Sequence, residues 1–176
     1  RNERNPTLAS ADILAAFLAN SGTDDEQAAL LRSLCRIGNK NALPKILQES
    51  LKSPNTKLRY AAALALGDWP TAEPVAALEE MLAGEKDGFT RLNAIASLGN
   101  LAKLSGETPQ DEIAQALITA YGKTRDLRSQ VQILTALGKV ADADGILLLM
   151  LEQYAPVWLA GILGAGIISA VMGSDA

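Results

Sequence analysis

The amino-acid sequence predicts an all-α protein, a right-handed α-α superhelix of about four to five helical hairpins in one domain over residues 1–176. Three observations lead to this prediction. Hydrophobic residues make up 48% of the chain but aromatic residues only 4%, because most of the apolar content is the helix-favouring Ala and Leu. No stretch shows the apolar–polar alternation of a half-buried strand. The third observation is an internal repeat.

An aliphatic residue followed by glycine occurs four times, at Gly38, Gly67, Gly99 and Gly138. The spacings between these glycines are 29, 32 and 39 residues, which is the range of helical-repeat units. Positions one, four and seven before each glycine are apolar and fall on one face of a helix. Each glycine is therefore predicted to end a helix in the left-handed conformation.

A second helical stretch follows each glycine. The predicted elements are an N-terminal helix near 8–19, hairpins near 24–52, 56–83, 88–121 and 125–154, and a final apolar helix over 156–172. Several start signals support them. Thr23 and Glu26 have capping-box spacing, Thr71 precedes an acidic turn that contains proline, and Pro109 is followed by two acidic residues.

The pattern resembles HEAT repeats. Residues 57–67 read Lys-Leu-Arg-Tyr-Ala-Ala-Ala-Leu-Ala-Leu-Gly, similar to the alanine-rich first helix of that family, and residues 91–99 repeat the pattern. The resemblance covers roughly residues 24–154. It departs from the family at Leu30 and Gln130, where a basic residue is expected. It implies a scaffold whose concave face, lined by the second helix of each hairpin, binds a protein of unknown identity.

Residues 65–70, with Asp-Trp-Pro, and the Leu-Gly-Lys-Val ending at 137–140 are similar to HEAT segments of large bacterial envelope proteins. This similarity implies a module of a longer protein in the envelope or a secreted one, and a cytoplasmic location stays open. The chain begins with Arg1, which is expected of a processed protein or of a piece of a longer one.

Composition excludes several kinds of chemistry. The chain has no histidine, which removes Ser-His-Asp and Cys-His nucleophiles and histidine metal sites. Its net charge of −4 disfavours nucleic-acid binding. Cys35 is its one cysteine, either a small core residue or, with a lowered pKa, a reactive thiol. We predict no catalytic, cofactor or metal residue and no enzyme. The alternative is a HEAT-like lyase or enzyme subunit acting on a tetrapyrrole or another small ligand, which requires converging carboxylates in a pocket.

Helical spacing on the second helices suggests which side chains meet a partner. The candidate partner-binding residues are Lys45, Gln48, Glu49, Glu79, Glu80 and Gln115, with Trp69 beside them. Trp69 follows a helix end, where it either packs between hairpins or stands exposed as a binding anchor.

Two basic clusters and the last helix leave alternatives open. The clusters are Lys52, Lys57 and Arg59, and Lys123, Arg125 and Arg128. They are either solvated turns or an anion-binding ridge. The uncharged helix 156–172 is a core helix of a further repeat, a self-association surface or a short membrane segment, and membrane contact is not expected because basic flanks are missing. A purely structural spacer is the remaining interpretation.

Overall fold

The computed structural model describes residues 6–20, 22–104 and 109–140. All regular structure in these ranges is helical, which confirms the all-α prediction. The helices are α1 Pro6–Leu18, α2 Asp24–Ile37, α3 Leu43–Lys45, α4 Thr56–Ala65, α5 Val75–Gly84, α6 Gly88–Leu101, α7 Gln110–Lys123 and α8 Leu127–Leu137. A π-helical turn, Ile46–Ser50, extends α3, and a 3₁₀ turn, Leu66–Asp68, extends α4. The end of the predicted fourth hairpin and helix 156–172 lie outside the described residues.

The helices form two layers. Helices α2, α4, α6 and α8 pack in succession as one layer. The second layer holds α3 with its π-helical turn, α5 and α7, and α5 packs against both α6 and α7. Helix α1 packs on α2 at one end. Second helices therefore lie side by side, as the repeat predicts, while the superhelix handedness and the single-domain boundaries stay predictions.

The core lies between the two layers. Its fully buried side chains include Leu34 in α2, Ile95 in α6 and Leu117 in α7. Helix α4 buries mainly alanines, Ala61 to Ala63 among them, because it is packed between α2 and α6 and has little room for larger side chains.

The apolar face predicted by counting back from the glycines is only partly right. Val131 and Leu134 of α8 are exposed, whereas Ile133 and Ala136 are buried. The buried stripe of α8 is set by α6 and α7, the described helices against which it packs, and not by distance from the glycine.

Helix starts follow capping chemistry. Thr23 and Glu26 form the predicted capping box, with the Thr23 N–H donating to Glu26 Oε2 at 2.6 Å. The interpretation of Thr71 as a helix start is wrong, because α5 begins at Val75 and Thr71 bonds to Glu73 instead. Asp87 and Asp126 accept from the backbone N–H groups three residues later, and these caps of α6 and α8 were missed in the sequence.

The prediction of left-handed glycine caps holds only at Gly38, whose φ is 70°. Among the described residues, the glycines with positive φ are Gly22 and Gly38. Helix α6 continues through Gly99 to Leu101, and Gly138 has φ −65°. At Gly67 and Gly99 the close approach of the next helix is the reason for glycine: an added Cβ would stand 2.6 Å from Ser97 Oγ and 2.9 Å from the Ala136 Cα, respectively.

Candidate binding surface

Among the described residues, clefts open along the second helices, and three of them contain the candidate residues. The N-terminal cleft, about 340 Å³, lies between the end of α1 and the π-helical turn, with Phe17 and Gln48 in its walls. The middle cleft, about 380 Å³, lies between Leu51 and Met81. The α5–α7 cleft, about 440 Å³, is lined from α5, α6 and α7 and their linkers. All three volumes are within the range of small-molecule pockets.

The ammonium group of Lys45, in the N-terminal cleft, is held by hydrogen bonds within the protein. Its Nζ donates to the carbonyls of Phe17 and Leu18, both at 2.9 Å, and to Asn20 Oδ1 at 2.8 Å. It also lies 5.1 Å from the centre of the Phe17 ring. These bonds satisfy carbonyls at the end of α1, where a cation is favourable. Lys45 is 11% exposed, while Gln48 and Glu49 beside it are exposed to solvent.

The middle cleft is walled by an ion pair with little exposure. Arg59 Nε donates to Glu85 Oε2 at 2.8 Å, with the two side chains 19% and 6% exposed. Arg59 also donates to the Ser53 carbonyl at 2.8 Å, and Glu85 accepts from the Asp87 N–H at 2.8 Å. The hydrogen bond from Arg59 is the main reason that the pKa of Glu85 is lowered. The pair ties together the linkers before α4 and after α5.

The basic cluster of Lys52, Lys57 and Arg59 forms ion pairs with carboxylates of neighbouring hairpins. Lys52 lies 3.1 Å from Glu80 and Lys57 lies 3.9 Å from Asp25. With Arg59 on Glu85, each cation of the cluster faces a carboxylate from another part of the repeat. This pairing favours the solvated-turn interpretation over an anion-binding ridge.

One end of the α5–α7 cleft is acidic. Glu79 and Glu112 both line it, and Gln115 is exposed beside them. Glu79 Oε1 is buried, with no hydrogen-bond partner among the described residues. Burial raises the pKa of Glu79, and the charge of Glu112 raises it further.

The other end of the same cleft is basic. Arg91 and Lys123 line it, together with Thr124. Arg91 Nε is buried without a hydrogen-bond partner among the described residues, and Arg91 Nη2 lies 3.8 Å from Asp126 Oδ2. Asp126 itself caps α8, where it accepts from the Ser129 N–H at 2.8 Å. Hydrogen bonds from Ser129 lower the pKa of Asp126.

The structure thus separates the predicted residues. Glu79 and Gln115 share the α5–α7 cleft, Glu80 lines the middle cleft, and Lys45, Gln48 and Glu49 line the N-terminal cleft. Sequence reasoning missed Arg91 and Glu112 as cleft residues. Glu112 was interpreted only as a charge in the first turn of α7, and Arg91 only as part of the repeat pattern.

Trp69 lies in the core. It is 2% exposed, and its indole N–H donates to Thr71 Oγ1 and Glu73 Oε2, both at 3.1 Å. These bonds lower the pKa of Glu73, with the bond from Trp69 as the largest cause. The burial of Trp69 favours the interpretation that it packs between hairpins over that of an exposed anchor, because little ring surface is left for a partner to contact.

Cys35 is a core residue. Its thiol is fully buried, and burial, with a smaller effect of Asp68, raises its pKa to about 12. Such a thiol stays protonated at neutral pH and is a poor nucleophile. In the described ranges, no cluster of three or more metal-ligating side chains is present. None of the described helices has both the length and the hydropathy of a membrane-spanning segment.

Comparison with known families agrees with this architecture. The family model for HEAT repeats matches residues 11–99, just over half of the chain. The chain therefore belongs to the HEAT-repeat family, whose members typically act as protein-interaction scaffolds. None of the curated proteins compared with the chain matches it.

Proposed function

We propose that this protein is a non-enzymatic scaffold that binds a segment of a partner protein on the face of the second helices, at the α5–α7 cleft. The cleft is lined by two neighbouring second helices and combines apolar, polar and charged side chains. Protein-binding grooves commonly have this mixed lining. The bound segment can belong either to a separate protein or to another part of a longer protein that contains this chain.

The unpaired polar atoms support this choice of cleft. Glu79 Oε1 and Arg91 Nε are buried and without partners in the described part of the chain. Buried polar groups that lack hydrogen bonds cost free energy. If the two side chains rotate toward the cleft on binding, an N–H of a bound polypeptide can reach Glu79 and a carbonyl can reach Arg91, so that binding recovers part of this cost.

Selection from a random peptide library tests the proposal. Peptides selected on the immobilised protein are measured by fluorescence anisotropy against the wild type and Ala83→Trp, which fills the cleft with a large ring. Ala29→Trp, at an exposed position of α2 in the other layer, is the matched control. We expect Ala83→Trp to abolish binding and Ala29→Trp to leave it unchanged. No selected binder, or equal binding to both variants, overturns the proposal.

An enzymatic role on a tetrapyrrole or another small ligand is the second candidate. Glu79 and Glu112 are a carboxylate pair in one cleft, and a carboxyl with a raised pKa suits general-acid chemistry. An absorbance titration with a linear tetrapyrrole tests it. A band shift that Glu79→Gln with Glu112→Gln removes would support this role, and an unchanged spectrum would contradict it.

We also propose that the protein does not bind nucleic acid. The exposed carboxylates Glu49, Glu80 and Glu112 along the second helices support the absence of nucleic-acid binding. Self-association through 156–172 and an envelope or secreted location also stay predictions, to be tested by light scattering and by fractionation.

A further inference from the structure

We infer that the α5–α7 cleft selects an extended segment with a Lys or Arg side chain at one end and an Asp or Glu side chain at the other. The inference rests on the proposed function, since it names the chemistry of the partner at the same cleft.

The two helices of the cleft run in the same direction. Helices α5 and α6 are joined by the short linker 85–87 and pack together, so they are antiparallel. Helix α7 packs on α8 through the equally short linker 124–126, so these two are antiparallel as well. Helices α6 and α8 are parallel, because they meet at Arg91 and Asp126 near their starts and at Gly99 and Ala136 near their ends.

The charges are placed along this common direction. Glu112 lies near the start of α7, where its charge acts on Glu79, and Lys123 lies at the other end. With a rise of about 1.5 Å per residue, the span from Glu112 to Lys123 is roughly 16 Å. About five residues of extended chain cover that length.

The acidic end offers negative charge that is not neutralised locally. Among the described residues, no Lys or Arg nitrogen lies within ion-pair distance of Glu79 or Glu112. Glu79 and Glu112 line the same cleft and the charge of Glu112 acts on Glu79, so a partner cation placed at this end relieves the repulsion between the two carboxylates. A basic side chain is the occupant whose charge complements this end.

The basic end is different because its carboxylates already have partners. Glu85 is held by Arg59 and Asp126 caps α8, as described above. Lys123 forms no ion pair with a described carboxylate, whereas Arg91 lies 3.8 Å from Asp126 and has no hydrogen bond at its Nε. An acidic side chain of the partner would therefore meet Lys123 first, with the positive charge of Arg91 beside it.

The wall between the two ends is short and mostly apolar. It is made by Leu82, Ala83, Ala116 and Ala120, with Thr119 among them. Small apolar side chains of an extended segment fit against such a wall. The polarity at the ends, together with this neutral middle, would fix the direction in which the segment lies.

Three labelled peptides of identical composition test this polarity. They are Lys-Lys-Ala-Leu-Ala-Glu-Glu, its reverse Glu-Glu-Ala-Leu-Ala-Lys-Lys, and the mixed control Lys-Glu-Ala-Leu-Ala-Lys-Glu, all with blocked ends. The first two peptides carry their Lys and Glu residues at opposite ends and are called segregated. We expect one of these two, the one whose chain direction fits the cleft, to bind about fivefold to tenfold more tightly than the mixed control, as measured by anisotropy at low salt. Added salt should reduce the difference.

Charge-swapped protein supplies the decisive comparison. In the variant Glu79→Lys, Glu112→Lys, Arg91→Gln and Lys123→Glu, both ends change sign, and the preference between the two peptides with segregated charges should invert. Glu79→Gln with Glu112→Gln, a milder change, should weaken the preference without inverting it. Circular dichroism shows whether each variant keeps its helices.

The outcomes separate this inference from the proposed function. Equal binding of all three peptides, or a preference that the charge-swapped variant does not change, overturns the polarity. If none of the three binds while library-selected peptides still need an open cleft, the polarity is again overturned and the proposed function stands. If library-selected peptides also ignore Ala83→Trp, the proposed function fails as well.

Discussion

Gly67 lies against Ser97, and the two residues fix the distance between α4 and α6. A Cβ on Gly67 would stand 2.6 Å from Ser97 Oγ and 3.0 Å from its Cα, while that hydroxyl donates to the Ala63 carbonyl at 2.6 Å. Backbone therefore approaches backbone at this point, and one buried hydroxyl bonds across the gap. The same kind of contact joins Gly99 to Ala136 one repeat later.

Gly67→Ala should destabilise the protein by about 1–3 kcal/mol, because the new methyl group forces α4 and α6 apart in a close-packed core. Gly84→Ala is the matched control, since a Cβ there would have nothing within 4 Å among the described residues. That control should be neutral or slightly stabilising, because alanine favours helix. Urea unfolding measures both. Equal midpoints for the two variants would contradict the packing role of Gly67.

Glu85→Gln should cost about 1–3 kcal/mol, because it removes the charge from an ion pair with little exposure. Glu80→Gln, which alters the exposed pair with Lys52, should cost less than about 1 kcal/mol. The folded pKa of Glu85 is lowered, so its contribution is present above the unfolded pKa and is lost as pH falls toward the folded one. The stability of Glu85→Gln should therefore fall less steeply in acid than that of the wild type, as measured by urea unfolding at several pH values.

Lys45→Met should loosen α1, because the carbonyls of Phe17 and Leu18 lose their ammonium donor while the aliphatic stem is kept. Hydrogen exchange read by mass spectrometry should then quicken in α1 and stay unchanged in α6. Lys40→Met, which alters an exposed lysine 3.6 Å from Glu73, is the control. Faster exchange of α1 in both variants would show that Lys45 has no special role there.

Glu79→Gln should raise stability at neutral pH. The folded pKa of Glu79 is raised, so its favourable contribution is present below the unfolded pKa and is lost as pH rises through the folded value. An amide cannot ionise, so the gain should vanish in acid, where the wild-type carboxyl is protonated. Urea midpoints at both pH values check this. A functional residue that lowers stability is consistent with a binding role, and a lower midpoint for the variant at neutral pH would count against it.

Cys35 should resist alkylation by iodoacetamide at neutral pH in the folded protein, because burial keeps its thiol protonated. In denaturant the same residue should react at the rate of an ordinary cysteine. Mass spectrometry of the two reactions makes the comparison. Rapid labelling of the native protein would mean that the thiol is exposed and would support the interpretation of Cys35 as a reactive thiol.

The sequence predicts well what depends on residues a few positions apart. The capping box of Thr23 and Glu26, the start of α7 after Pro109 and the repeated first helix all result from local hydrogen bonds and helical period. The family resemblance comes from the same local repeat, because each unit must present one apolar face to the next. This is why the all-α class and the family could be predicted without coordinates.

The sequence could suggest individual residues of the candidate site but not which of them share a cleft. Glu79 and Gln115 were selected from their spacing on second helices, but their shared cleft depends on how α5 and α7 pack. Arg91 reaches that cleft from the first-helix layer, so the spacing within second helices could not reveal it. Lys45 was selected for the same spacing, yet its ammonium bonds to α1, more than twenty residues away.

The sequence by itself determined the helical class, the repeat and the absence of histidine chemistry, because these follow from composition and from patterns within one or two turns. Only the tertiary structure decided why Gly67 and Gly99 are glycines, which carboxylate each cation meets, and that a cleft with opposite charges at its ends lies between α5 and α7. The physical reason is that these contacts join residues about one repeat apart. Since the spacings of 29, 32 and 39 residues differ, sequence distance alone does not fix which side chains meet.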